Sequence, residues 1–469
     1  MRDFTPRPYQ TLALDFIASN PRCALWAGMG MGKTSTSLNY LDILHNVIGE
    51  DRPSLVVAPK RVAKDTWPNE TQKWNHLKGL ELVPIVGAPE ERKALLRQDR
   101  PIFTINYEQL PWLVDELGSR WPFSTLIADE ATKLKGFRMH QGGQRAAALG
   151  VVAHKKVERF VELTGTPSPN GLQDLWGQMW FLDKGRALGQ SYTAFMDRWF
   201  GFRNSKDPKT GRVFTERYMF PHAQDEIMAL LGGMCLTLDP KDWFDLQEPI
   251  RNVVEVELPP SARRHYREME REMFTVLAAG QEVEAVSAAS KSIKCLQAAS
   301  GAMYLDPERY GKDVAIEIHE AKLEALESVA EESDVPVLVA YHFKSDRNRI
   351  MRDWKDQAAD LATDEGLAAF RTGRVKIGLG HPDSIGHGVD GLQDVTNVCC
   401  FFSQWWDLEK HDQFVERVGP VRQAQSGHER PTFIHYLVAR NTVDELVMAR
   451  RDTKRSIQDL LLNYMKEKR

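Results

Sequence analysis

The run from Ala27 to Thr34, Ala-Gly-Met-Gly-Met-Gly-Lys-Thr, constrains the fold more than any other stretch of the chain. Before it, Cys23 to Trp26 form an apolar run that reads as the end of a strand; after it, Ser35 to Val47 carries apolar residues at helical spacing. Glycines at 28, 30 and 32 in the connecting loop have no Cβ, so backbone N–H groups can converge on one anion. The helix N-terminus favours negative charge at the same place. Lys33 can reach the β and γ groups of a bound triphosphate, and Thr34 offers a hydroxyl to Mg²⁺. A Gly-rich turn beside an unrelated lysine is the competing reading, and the strand and helix on either side weigh against it.

The first 170 residues repeat this rhythm. Apolar runs at 54–59, 81–87, 101–106, 124–129 and 159–165 alternate with amphipathic stretches, which predicts a parallel sheet covered by helices. Ligands of such sheets sit at the carboxyl ends of the strands, where the charged and Gly-rich residues fall here. Residues 172–248 read as aromatic-rich helical text interrupted by an exposed polar loop at 204–212, NSKDPKTGR. Helix formers and charges dominate 259–307, and the α/β rhythm resumes at 335–342, 374–380, 397–403 and 432–438. The expectation is an α/β protein of two lobes with parallel sheets, 1–245 and 246–469, with a helical insertion at about 260–310 of the second.

Bulk properties narrow the setting. No apolar stretch approaches the ~20 residues needed to span a bilayer, and MRDFTPRPYQ at the start has no apolar core of a secretion signal. The five cysteines form no CxxC pair and no zinc spacing, so a cytoplasmic location with free thiols is expected. With a net charge of −4, contact with nucleic acid requires local basic surface. Lys60, Arg61 and Lys64 are candidates, as are Lys133, Lys135 and Arg138 and the tail segment 450–455.

Asp129 and Glu130 follow an apolar run, 96 residues after Lys33. Hydrolysis of a nucleoside triphosphate asks for such a pair: one carboxylate for Mg²⁺, the next to orient and deprotonate water. An acidic helix cap would use the same residues. Thr164-Gly165-Thr166-Pro167 ends another buried run, with two hydroxyls that could sense a phosphate or bond their neighbours.

Taken in order, these motifs resemble the superfamily 2 helicase-like ATPases and, within them, the Swi/Snf branch of double-stranded-DNA translocases. Ala27 stands where the general phosphate loop has glycine, as in that superfamily. Arg7-Pro8-Tyr9-Gln10 resembles the adenine-reading motif, residues 55–70 the motif that tracks a nucleic-acid strand, Asp129 to Thr132 the DEAH-type box, and 163–170 (LTGTPSPN) the coupling motif. In the second lobe, Gly386 to Leu392 resembles the motif that contacts nucleotide and backbone, with Asp390 where asparagine is usual. Gln413 to Gln423 resembles the final arginine motif: Arg417 matches its first arginine, Pro420 occupies the place of the second, and Arg422 lies two residues later.

The resemblance implies two RecA-like lobes and ATP with Mg²⁺ as nucleotide and metal, in a compact phage or bacterial form of the family. Arg7, Gln10, Ala27, Gly28, Met29, Gly30, Met31, Gly32, Lys33, Thr34, Gly388 and Asp390 are expected at the nucleotide, with Thr34 and Asp129 at the metal. Lys33, Asp129, Glu130, Arg417 and Arg422 are expected to carry catalysis; Lys60, Arg61, Thr164 and Thr166 are expected to meet nucleic acid. DNA, duplex ahead of single-stranded, is the implied partner. An RNA-dependent helicase of the same superfamily and a weakly catalytic, ATP-gated binding module both remain open at this point.

Overall fold

A computed structural model of the chain describes residues 3–139, 142–206, 213–278, 285–311, 313–385 and 389–452. The chain divides into two compact units, one up to Trp243 and one beginning at Phe244. Each unit is an α/β lobe of RecA-like type built on an all-parallel sheet.

The first unit holds β1 (Arg22–Ala27), β2 (Ser54–Ala58), β3 (Leu82–Pro84), β4 (Ile102–Asn106), β5 (Thr125–Asp129), β6 (Arg159–Thr164), β7 (Phe200–Lys206), β8 (Val213–Met219) and β9 (Cys235–Leu238). Seven of them form one sheet in the order β3-β4-β2-β5-β6-β1-β9. Strands β2, β4 and β5 are buried along their whole length, as expected for a parallel sheet covered on both faces. The order brings the carboxyl ends of β5, β6 and β1 side by side, with Asp129 opposite Leu163 and Trp26 opposite Thr164. On one face lies an aromatic core that includes Phe103, Phe160, Trp176, Phe181 and Phe195. The helix Leu175–Asp183 buries every residue from Leu175 to Leu182, so it packs inside the lobe, with the one amide among them, Gln178, donating to the carbonyls of Pro167 and Asp174. Glu162 of β6 is buried without a hydrogen-bonding partner among the described residues, and burial pushes its carboxyl well above the usual range.

Two features of this unit depart from expectation. Of the segment 204–212, expected as a loop, residues 204–206 instead pair in β7, antiparallel to β8, and 207–212 lie outside the described residues. The stretch 172–248, read as helical, also contains β9, which closes one edge of the sheet beside β1. A run of only four apolar-to-neutral residues, Cys-Leu-Thr-Leu, has too little periodicity to distinguish strand from helix.

The second unit holds β10 (Ile250–Val256), β11 (Ala302–Tyr304), β12 (Ala315–Glu317), β13 (Val337–Ala340), β14 (Ala358–Asp360), β15 (Ile377–Gly380), β16 (Val398–Phe401) and β17 (Phe433–Ala439). Its six-stranded sheet runs β10-β17-β16-β13-β15-β14. The helical segment expected after residue 259 comprises the helices Pro260–Ala278 and Ala285–Ser300, which follow β10 and precede β13. Tyr266, Cys295, Leu296 and Ala299 from these helices share a core cluster with Leu258, Phe343 and Val447. Lys322 and Asp444, both fully buried, form an ion pair at 2.6 Å, and Asp444 also accepts the Ala439 N–H. A buried pair with such additional bonds is tolerated because each charge has its counterpart.

Candidate functional site

The loop after β1 is closed by its own side chains and by its neighbours. Gly30 (φ 79°) and Gly32 (φ 70°) are left-handed, a region that favours glycine. A Cβ on Gly28 would lie 2.6 Å from ring carbons of Pro240, so a larger residue there requires the β9 side of the loop to move. A Cβ on Gly32 would lie 2.4 Å from Nε2 of Gln10. Gly32 begins the helix Lys33–Asp42 without any side-chain cap, which leaves its first turn suited to an anionic ligand. The Lys33 ammonium donates to the carbonyls of Ala27 at 2.8 Å and Gly28 at 3.2 Å. Thr34 is half-buried in the first turn, and Met31 is buried beneath the loop.

Gln10 is tied into the same corner. Its Oε1 accepts the Arg7 N–H at 2.9 Å, and its Nε2 donates to Ser35 Oγ at 3.3 Å. A cavity of about 670 Å³ opens beside it, lined by Phe4, Gln10, Thr36, Asn39, Asn75 and His76 among others. The rings of Trp74 and His76 pack on Phe4 at 5.0 and 5.3 Å. The sequence offered no signal for Asn75 or His76, which reach the cavity from a different part of the chain.

Asp129 ends β5 buried. One carboxylate oxygen accepts the Trp67 indole N–H at 2.9 Å, and the other accepts the Glu130 N–H at 3.1 Å. Burial raises its carboxyl above the ordinary range; the Trp67 hydrogen bond, the Lys33 charge and the Glu130 N–H act the other way. The next residue turns sharply: Glu130 is left-handed at φ 57°, a strained conformation for a non-glycine residue. Tyr107 Oη holds this turn by donating to the Asp129 carbonyl at 2.8 Å. Asp129 is thus sequestered while Glu130 is only half-buried. Trp67 and Tyr107 went unnoticed in the sequence, since nothing there announces a donor 62 residues from its acceptor.

The donor set fits Mg²⁺. Among the described residues no group of three or more His, Cys, Asp or Glu residues could hold a metal. One carboxylate and one hydroxyl beside a phosphate loop are what Mg²⁺ uses when phosphates and water complete its shell.

Thr164 and Thr166, expected to meet nucleic acid, lie inside the first lobe. Both are buried, at 0 % and 4 % exposure, and the Thr166 N–H donates to Thr164 Oγ1 at 3.1 Å. Between them, a Cβ on Gly165 would lie 3.3 Å from the Ala27 carbonyl and 3.6 Å from the Met29 N. The turn that holds these hydroxyls therefore packs closely against the phosphate loop at Gly165. Lys60 is exposed and Arg61 half-buried, just after β2, on the same carboxyl edge of the sheet as the loop.

In the second unit, Arg417 is buried at 8 % exposure and donates to the carbonyls of Gln413 and Val389, each at 3.2 Å. Arg422 forms an ion pair with Asp390 at 2.7 Å. The two departures from the family pattern, aspartate at 390 and the displaced arginine, are thus partners of one another. Gly388 lies outside the described residues. Trp405 is buried in the lobe, stacked on His342 at 5.0 Å, and so belongs to its core.

Residues 11–297 match the family of SNF2-related domains. The chain belongs to that family. SNF2-related ATPases are superfamily 2 enzymes of the Swi/Snf type, and the motif order along this chain follows theirs. Over its whole length the chain is 50% identical to protein p41 of Acyrthosiphon pisum secondary endosymbiont phage 1, also covered over 100%. It is 31% identical over 189 residues to the helicase SWR1 of Mycosarcoma maydis, a match covering 38% of this chain and 10% of SWR1. The match therefore spans only about a tenth of that larger protein's length. The SWI2/SNF2 ATPase core of Sulfolobus solfataricus in complex with dsDNA aligns over 98% of this chain and 94% of its own, at 20% identity and a TM-score of 0.43. Among the described residues no helix is long and apolar enough to cross a membrane.

Proposed function

We propose that this SNF2-related protein is a DNA-dependent ATPase that converts ATP hydrolysis into movement along duplex DNA, within the cytoplasm of a host cell. The observation that carries the reading is the convergence of Lys33, Asp129 and Glu130 at the carboxyl ends of β1 and β5, the two strands that flank β6, with the Lys33 charge acting on Asp129. Lys33 and the glycines of the loop bind the phosphates, and Gln10 with its adjoining cavity takes the adenine side. Thr34 and Asp129 would hold Mg²⁺, which when bound neutralises phosphate charge. Trp67 orients the Asp129 carboxylate, and the strained turn at Glu130 sets its carboxylate to accept a proton from the attacking water. Arg417 releases its backbone partners and stabilises charge on the transferring phosphoryl group, a task suited to a guanidinium that cannot lose its proton. Arg422, bonded to Asp390, supports the same loop. Lys60 and Arg61 meet the nucleic-acid backbone.

The test is ATP turnover without nucleic acid, then with single-stranded DNA, duplex DNA and RNA, alongside the Glu130→Gln variant. Duplex DNA is expected to stimulate most, and Glu130→Gln to reduce turnover by about 10²-fold or more. Stimulation by RNA alone would instead identify an RNA-dependent enzyme. Turnover that Glu130→Gln leaves unchanged would identify a nucleotide-gated binding module.

A further inference from the structure

The hairpin of β7 and β8 belongs to neither large sheet. Its base is anchored: Trp199 and Phe200 are buried, the Phe220 N–H donates to the Trp199 carbonyl at 2.9 Å, and the Trp199 indole donates to Glu226 at 2.8 Å. Beyond that base the ladder pairs Gly201 with Tyr218, Phe202 with Arg217 and Arg203 with Glu216, and continues to Lys206 opposite Val213. Alternation along the strands puts Phe202 and Arg217 on one face, and Arg203 and Tyr218 diagonally on the other. Each face carries a guanidinium over a ring, Arg217 over Phe202 at 5.1 Å and Arg203 over Tyr218 at 5.5 Å. Phe202 is nonetheless 68 % exposed.

A two-stranded ribbon gains little from burial, so an exposed aromatic on it is a stability cost. What the arrangement does achieve is two guanidinium groups whose freedom is already reduced by a ring beneath each. Charge points the same way. Strands β7 and β8 carry Arg203, Lys206 and Arg217 against Glu216, in a chain whose total charge is −4. A basic ribbon on an acidic protein complements a polyanion. A two-stranded β-ribbon is also of a size that the duplex major groove, about 12 Å wide, admits. Base stacking fits less well, because one face of each ring is already covered by its arginine.

We propose that the β7–β8 hairpin grips the backbone of duplex DNA, with Arg203 and Arg217 as its phosphate ligands. This rests on the reading of the protein as a DNA-dependent enzyme and extends it to a surface outside the family motifs. The hairpin supplies affinity and register, and the ATP site is untouched by it.

The experiment is binding of the full chain to a fluorescent duplex of about 30 base pairs, by anisotropy across a series of salt concentrations. Arg203→Ala/Arg217→Ala is expected to weaken binding roughly tenfold near 0.1 M salt and to lower the slope of log affinity against log salt by about 1.8, or 0.9 per lost phosphate contact. ATP turnover without DNA should not change, which also reports that the first lobe is folded. Should the alanine pair lose that turnover, Arg203→Gln/Arg217→Gln provides the same charge change with the side-chain bulk kept. Arg203→Lys/Arg217→Lys should restore most of the slope. A double variant whose binding superposes on wild type at every salt concentration would overturn the hairpin assignment while leaving the DNA reading intact. A greater loss for single-stranded than for duplex DNA would overturn the choice of duplex. If the unaltered protein failed to bind duplex at all, the DNA reading itself would fall, and the hairpin assignment with it.

Discussion

The carboxyl edge of the first sheet and the segment from Val389 to Gln423 in the second lobe are both assembled from family motifs, yet they differ in how settled they are. At the first, Asp129 has both oxygens bonded, Glu130 is pinned in a strained turn and the loop glycines pack against Pro240 and Gln10. Chemistry there needs only its ligands. At the second, the Arg417 guanidinium is bonded to backbone carbonyls of its own lobe, and Arg422 is bonded to Asp390. Acting on a phosphate requires Arg417 to exchange those partners. On the proposed function, Arg417 would act at only one stage of the cycle.

The strongest way to break that contrast compares Lys33→Ala with Arg417→Ala. Lys33→Ala is expected to lower turnover by about 10³-fold and to weaken ATP binding, because the lysine meets phosphate in the ground state as well as in the transition state. Arg417→Ala should lower kcat by about 10²-fold while KM for ATP changes little, the signature of an interaction made only in the transition state. Circular dichroism melts monitor folding of both. If folded Arg417→Ala turned over ATP within a factor of two of wild type, its bonds to Gln413 and Val389 would be its whole role.

A smaller effect is expected at Trp67, whose indole reaches Asp129 from a separate helix. Trp67→Phe keeps most of the ring volume and deletes the donor. Partners of metal-binding side chains are worth about 10- to 100-fold in metal affinity or activity when removed. The Mg²⁺ concentration for half-maximal turnover should therefore rise by about tenfold, with kcat at saturating Mg²⁺ recovering most of its value. An unchanged Mg²⁺ dependence would mean that the backbone N–H of Glu130 alone suffices to orient the carboxylate.

Trp67 also marks the boundary of what the sequence disclosed. The strands of both large sheets that run as continuous apolar stretches were legible, since burial on both faces demands such runs; so were the loop and the acidic pair, because their residue types and order are set by local chemistry. Strand β10 was less visible: it is half-exposed and interleaves Arg251, Asn252 and Glu255 among valines. The pairing of β7 with β8 was hidden by the polar text at 204–212, which reads as loop from its residue types alone. Thr164 and Thr166 show another limit, because the resemblance supplied a role but not a burial, and burial removes them from the surface. Partners distant in the chain were the least accessible of all.

Asp390 and Arg422 are such partners, 32 residues apart, and they offer the smallest effect and the finest discrimination. In the sequence they look like two separate departures from the family pattern, each a mark against the second lobe's chemistry. Joined at 2.7 Å, they look instead like one exchange, in which aspartate at 390 captures the arginine that Pro420 has displaced. The Asp390 side chain is 49 % exposed and that of Arg422 22 %, so solvent screens the pair and its coupling should be only about 0.5–1 kcal/mol. A double-mutant cycle of Asp390→Asn and Arg422→Ala, read by urea unfolding of the full chain, measures it, and turnover should stay within a few-fold of wild type throughout. A loss in Arg422→Ala as large as in Arg417→Ala would show that the arginine leaves Asp390 during the cycle and shares the work on phosphate. Exchange of partners would then be required of both arginines.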